Sequence, residues 1–92
     1  MPYMLSTIEV DDYELFKKMF DADPTNARER AMSHRLLRGE DNPNEVFVQV
    51  EFPTAEDAQE ARERLRAAGV FDRVKLNSGP TIVNEAEVVA YA

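Results

Sequence analysis

The stretch from Glu45 to Gly69 constrains the fold more than any other part of the chain. Glu45 to Phe52 sets Val46, Val48, Val50 and Phe52 at every second position, the period of a strand with one buried face. Two residues on, Thr54 is placed to cap a helix with Asp57 three residues later, and Gly69 stands where a left-handed residue closes it. Between the caps, Ala55, Ala58, Ala61, Leu65 and Ala68 form a narrow stripe of small residues, while Glu60 and Arg64 make an i, i+4 pair on the solvent side. Small side chains let a helix lie close on a sheet, so this stretch predicts a strand followed by a helix docked on its own sheet.

The remaining elements build around that unit. Tyr3 to Val10 is rich in β-compatible residues and reads as a strand. Asp11 is expected to cap the next helix with Glu14 as its capping-box partner, and Tyr13, Phe16, Met19 and Phe20 recur at helical spacing opposite Glu14, Lys17 and Lys18. Asp23-Pro24 predicts a second, short helical piece running to about Met32, with Asp23 as its cap. Ser33 to Arg38 pairs with Glu45 to Phe52 as a hairpin across the turn formers Gly39 to Asn44. Val70 to Leu76 reads equally as an extra helical turn or a short strand, Asn77 to Pro80 as a loop, and Thr81 to Tyr91 as a final strand. The order β-α-β-β-α-β predicts one α+β domain over residues 1–92, a four-stranded antiparallel sheet with two helices on one face.

Charge and composition narrow the partners. Eighteen acidic against eleven basic side chains give a net charge of -7, the wrong sign for affinity drawn from phosphates, so nucleic acid is not expected. No apolar run reaches the roughly 20 residues needed to cross a bilayer, and Met1 to Val10 lacks the basic head and apolar stretch of a signal peptide, so a cytoplasmic protein without membrane contact is expected. With no cysteine and one histidine, His34, thiolate zinc sites, disulfides and a multi-histidine metal site within one chain are excluded, and no cofactor is expected.

Two helices cover only one face of a four-stranded sheet, yet these strands are apolar on both sides. Phe47 shares its row with Gln49 and Glu51, while Ile82, Ala86, Val88 and Ala90 alternate with Val83, Val89 and Tyr91. An uncovered face carrying Phe47 and one of those last rows is a larger apolar patch than monomers tolerate, which predicts a homodimer. A 92-residue chain also buries a modest share of its surface alone, roughly 60–65%.

The opening strand running into VDDYELFKKMF (Val10 to Phe20), the segment RLLRGEDNPNEVFVQVEFPTAEDAQEA (Arg35 to Ala61), and Gly79-Pro80 before the last strand together resemble the dimeric α+β barrel superfamily. That superfamily holds cofactor-independent antibiotic-biosynthesis monooxygenases, small polyketide cyclases and muconolactone isomerases. The resemblance spans nearly the whole chain and implies a ferredoxin-like fold. It also implies two sheets packed face to face across a two-fold axis, and a pocket between sheet and helices or within the barrel. Haem-degrading members and several monooxygenases use a tryptophan with an asparagine and a histidine near the pocket; this chain has no tryptophan, so haem degradation is not implied.

Within such a barrel His34 is the one side chain that titrates near neutrality unaided, and it is a candidate general base or hydrogen-bond donor; its bland alternative is a strand-edge histidine that binds nothing. Arg35 points to the other side of the same strand. Gln49 and Glu51 interrupt an apolar strand at alternate positions, as orienting groups in an apolar pocket do, or else lie solvent-facing at a dimer rim. Tyr13 and Phe16 open the first helix near the mouth of the barrel, or fill its core. Arg28, Arg30, Arg35 and Arg38 concentrate positive charge that would orient an anionic ligand, or form a salt-bridged surface. The leading expectation is a homodimer holding a small apolar or aromatic molecule in a pocket of Tyr13, Phe16, His34, Phe47 and Gln49, with Glu51 and Arg35 adding polar contacts. The alternatives are a cofactor-independent monooxygenase, cyclase or isomerase with His34 as base, and a non-catalytic interaction module with a filled barrel.

Overall fold

A computed structural model describes residues 1–92. Its elements run β1 (Pro2–Glu9), α1 (Tyr13–Ala22), β2 (Ser33–Arg38), β3 (Glu45–Glu51), α2 (Ala55–Ala67), a single turn α3 (Val70–Arg73) and β4 (Lys75–Asn84). The four strands form one sheet in the order β2-β3-β1-β4, with every neighbouring pair antiparallel. This is the expected ferredoxin-like arrangement: β1 and β2, joined through α1, are separated by β3.

The Glu45–Gly69 unit forms as its pattern dictates. Thr54 adopts an extended backbone and its hydroxyl accepts the Asp57 amide at 3.1 Å, while Gly69 takes the left-handed φ of 70° just beyond the helix. Ala58 and Ala61 are buried against Met4, Val50 and Phe52, and Ala27 closes the same cluster. Val46, Val50 and Phe52 are the largest fully buried side chains, so the row of β3 assigned to the helix side does face the helices.

Three boundaries depart from the sequence pattern. The cap of α1 is Asp12, not Asp11: its carboxylate accepts the amides of Glu14 at 3.0 Å and Leu15 at 3.3 Å. Glu14 is then the second helical residue, one short of the position a reciprocal capping box needs. No helix forms from Pro24 to Met32. Asp23 and Asn26 take left-handed backbones, φ 42° and 55°, which interrupt any helix, and Asp23 instead uses its carboxylate to receive the Arg28 amide at 3.1 Å.

The last strand is displaced most. It begins at Lys75, absorbs the expected loop Asn77–Pro80 through two register shifts against β1, and ends at Asn84, not Tyr91. Gly79, at φ 84°, makes this possible, since a Cβ there would collide with the Leu5 carbonyl oxygen of β1. The strand stops because Pro2, paired with Asn84, is the last residue of β1 that offers it a partner. The apolar rows expected at Ala86, Val88 and Ala90, and at Val89 and Tyr91, therefore lie outside the sheet.

Candidate functional site

Cross-strand partners in an antiparallel sheet share a face, so the register sorts every candidate residue. His34 pairs with Val50, which pairs in turn with Met4, so His34 lies on the helix-covered face. Leu37 pairs with Phe47 and Thr7; Arg35 with Gln49 and Leu5; Ser33 with Glu51 and Tyr3. These last three bands lie on the open face. The single pocket expected from Tyr13, Phe16, His34, Phe47 and Gln49 is thus divided by the sheet: the first three belong to one side, the last two, with Arg35 and Glu51, to the other. Side chains on a period-2 element with opposite parity cannot meet without breaking the strand.

On the helix side, the aromatic residues of α1 lie in a row towards edge strand β2. Tyr13 and Phe16 have ring centroids 6.1 Å apart, Phe16 and Phe20 are 5.7 Å apart, and Phe20 meets His34 edge-on at 5.1 Å. Arginines cap both ends of the row. The Arg28 guanidinium sits 3.6 Å over the Phe20 ring and donates to the Phe20 carbonyl; that of Arg38 sits 4.1 Å over Tyr13, while its Nε donates to the Pro43 carbonyl. Arg28 Nη1 also approaches His34 Nδ1 at 3.5 Å. Yet α1 has no buried residue, and Tyr13, Phe16 and Phe20 are only half-buried.

The open face grades from apolar to polar along the strands. Leu37 (48% exposed), Phe47 (39%) and Leu5 (38%) make its apolar part. Below them Ser33 Oγ donates to Glu51 Oε1 at 3.2 Å, and hydrogen bonding to Glu51, then burial and its charge, hold the Tyr3 phenol above its ordinary value of 10.0. Beside the β2–β3 hairpin the face opens into a trough of about 480 Å³ bordered by Leu37, Phe47, Arg38, Glu40, Asp41 and Glu45. The other main void, about 10 Å³ between Phe52, Ala61 and the Ala27 turn, has room for one water. Neither borders His34.

The four arginines do not assemble. Arg30 pairs with Asp57 at 3.1 Å, Arg28 lies 3.8 Å from Asp23, Arg38 rests on Tyr13, and Arg35 is on the other face. Phe20 and Tyr3 are the site residues that sequence reasoning missed. Phe20 was visible as part of the helical apolar stripe, and Tyr3 as the start of the Tyr3-Leu5-Thr7 alternation. No group of three or more acidic, histidine or cysteine side chains is placed to hold a metal.

No protein-family model matches the sequence, and no curated protein does. Among solved structures, one described as "Putative antibiotic biosynthesis monooxygenase from Nitrosomonas europaea" superposes with a TM-score of 0.57, over 89% of this chain and 83% of that one, at 16% identity. The two chains share a fold. It is the ferredoxin-like fold that the sequence resemblance implied, and at this identity the likeness speaks to fold alone.

Proposed function

We propose that the protein is a homodimer, joined through the open sheet face, in which each protomer holds a small apolar or aromatic molecule beneath α1. The aromatic row carries this reading: Tyr13, Phe16 and Phe20 lie side by side on a helix that buries none of its own residues, and Phe20 meets His34 of β2 edge-on. The half-buried rings of this amphipathic helix leave apolar surface that a flat guest would cover, with Arg28, Arg38 and His34 as the few polar groups that orient it. The dimer rests on Leu5, Leu37 and Phe47, contiguous on a face that no element of the chain covers.

The binding test uses an environment-sensitive aromatic probe, 1-anilinonaphthalene-8-sulfonate, followed by fluorescence. Binding is expected to weaken at least about tenfold in Phe20→Ala, the loss of some 1.4 kcal/mol, with the sedimentation coefficient unchanged. Equal binding by both proteins would remove the site from under α1.

A second reading is favoured by the shared fold with a protein described as a monooxygenase. Here the guest is a hydroxylated aromatic substrate, and His34, edge-on to Phe20, withdraws its proton so that the electron-rich anion reacts with dioxygen. Oxygen uptake with a panel of phenolic compounds, lost in His34→Gln while probe binding persists, is the expected outcome; uptake that survives the substitution ends the mechanism.

A further inference from the structure

The two arginines at the ends of the aromatic row are not equivalent. Arg28, at the Phe20 end, is fully engaged: its Nη2 donates to the Phe20 carbonyl, its Nη1 faces His34 Nδ1 at 3.5 Å, and its Nε lies 3.8 Å from Asp23. Arg38, at the Tyr13 end, is not. Its guanidinium sits 4.1 Å over the Tyr13 ring and its Nε donates to the Pro43 carbonyl at 2.8 Å, but Nη1 and Nη2 find no acceptor in the chain, and no carboxylate forms a salt bridge with it.

No other arginine offers the same. Arg30, Arg64 and Arg66 are paired with carboxylates, Arg62 and Arg73 each give an Nη to a backbone carbonyl, and Arg35 lies on the other face of the sheet. Arg38 alone brings an open fork of donors to the row, and its side chain is exposed, so a ligand reaches it without moving the core. A planar guanidinium fits a carboxylate through two parallel hydrogen bonds. The ring beneath it and the carbonyl beside it hold this one in place before any ligand arrives, which lowers the entropy lost on binding.

Its place on β2 also sets a direction and a length. Arg38 and His34 share the helix-covered face of that strand, so a guest laid along the rings has about 13 Å between the two. An acid group on Arg38 puts a fused-ring body beside Phe16 and Phe20 and its far edge at His34. The charge of the protein works against any anion: the chain carries -7, and Glu40, Asp41 and Glu45 border the hairpin trough along with Arg38. That repulsion is long-ranged and screened by salt, whereas the bidentate contact is short-ranged. An acid is therefore favoured only where it touches the fork itself.

We propose that the guest under α1 is an aromatic acid, its carboxylate held by Arg38 and its rings lying along Tyr13, Phe16 and Phe20 towards His34. This assignment rests on the guest site proposed above and adds the chemical class of the ligand and its direction in that site.

The test is calorimetric titration of the full chain, wild type and Arg38→Gln, with 2-naphthoate and with its uncharged counterpart 2-naphthamide, at about 150 mM salt, where repulsion beyond about 8 Å is screened. Wild type is expected to bind the acid at least about tenfold more tightly than the amide, and Arg38→Gln to bring that ratio close to one. Since the ratio compares two ligands on one protein, packing lost from Tyr13 in the variant affects both and cancels. Wild type that binds the amide as tightly as the acid, or more tightly, would overturn the acid assignment and leave the guest site standing. A preference for the acid that survives Arg38→Gln would overturn the role of Arg38 and the direction it sets. Wild type that binds neither compound would refute the guest site and this assignment together.

Discussion

Helices α1 and α2 lie on the same face of one sheet, yet they are held there differently. Ala58 and Ala61 bring α2 into contact with Val50 and Phe52, and the core is built there. Tyr13, Phe16 and Phe20 set half-buried rings between α1 and an edge strand whose helix-side residues are His34, Leu36 and Arg38 instead of a valine row. The contrast teaches that the helix with the smaller side chains makes the stable half, and the one with the larger makes the adaptable half. Only ten of 92 residues are buried, none of them on α1, and the proposed guest site lies under that helix.

Substitutions on the two sides should separate accordingly. Phe52→Ala empties the centre of the α2 side and is expected to cost about 3–5 kcal/mol in urea unfolding. Ala61→Leu forces α2 off the sheet and should cost about 1–3 kcal/mol; a smaller loss would mean that the close approach of α2 is not what organises the core. Phe20→Ala, from the half-buried row, is expected to cost only about 1 kcal/mol, since part of its surface is already in water. If Phe20→Ala proved as damaging as Phe52→Ala, the contrast between the helices would collapse.

The smallest effect lies on the open face. Glu51 favours the neutral Tyr3 phenol, whose pKa is raised, so this contribution to stability is complete below pH 10.0 and disappears as pH rises through the higher folded value. In an ultraviolet phenolate titration Tyr3 should ionise above the ordinary phenol value of 10.0, and Glu51→Gln should bring it earlier. No difference on that substitution would show that Glu51 does not govern the phenol.

Legibility in the sequence followed the locality of the cause. The capped helix α2 and the buried row of β3 were readable because Thr54, Asp57 and Gly69 act within one turn, and because Val46, Val48, Val50 and Phe52 alternate without interruption. The helical piece after Pro24 was not, since left-handed Asp23 and Asn26 arise from a tight loop that buries Ala27 in the core. For β2, Ser-His-Arg-Leu-Leu-Arg is mixed on both parities, so nothing local says which side of it meets α1.

The sequence by itself determined the β-α-β-β-α-β order and the apolar row of β3, because caps and periodicity depend on neighbours a few residues away. Tertiary pairing decided the rest. It placed His34 with Phe20 and apart from Phe47 and Gln49, since the register of β2 against β3 fixes side-chain parity across the sheet. It also ended β4 at Asn84, because a strand extends only as far as the neighbour that receives its hydrogen bonds, and so left Val88, Val89 and Tyr91 without a partner in their own chain.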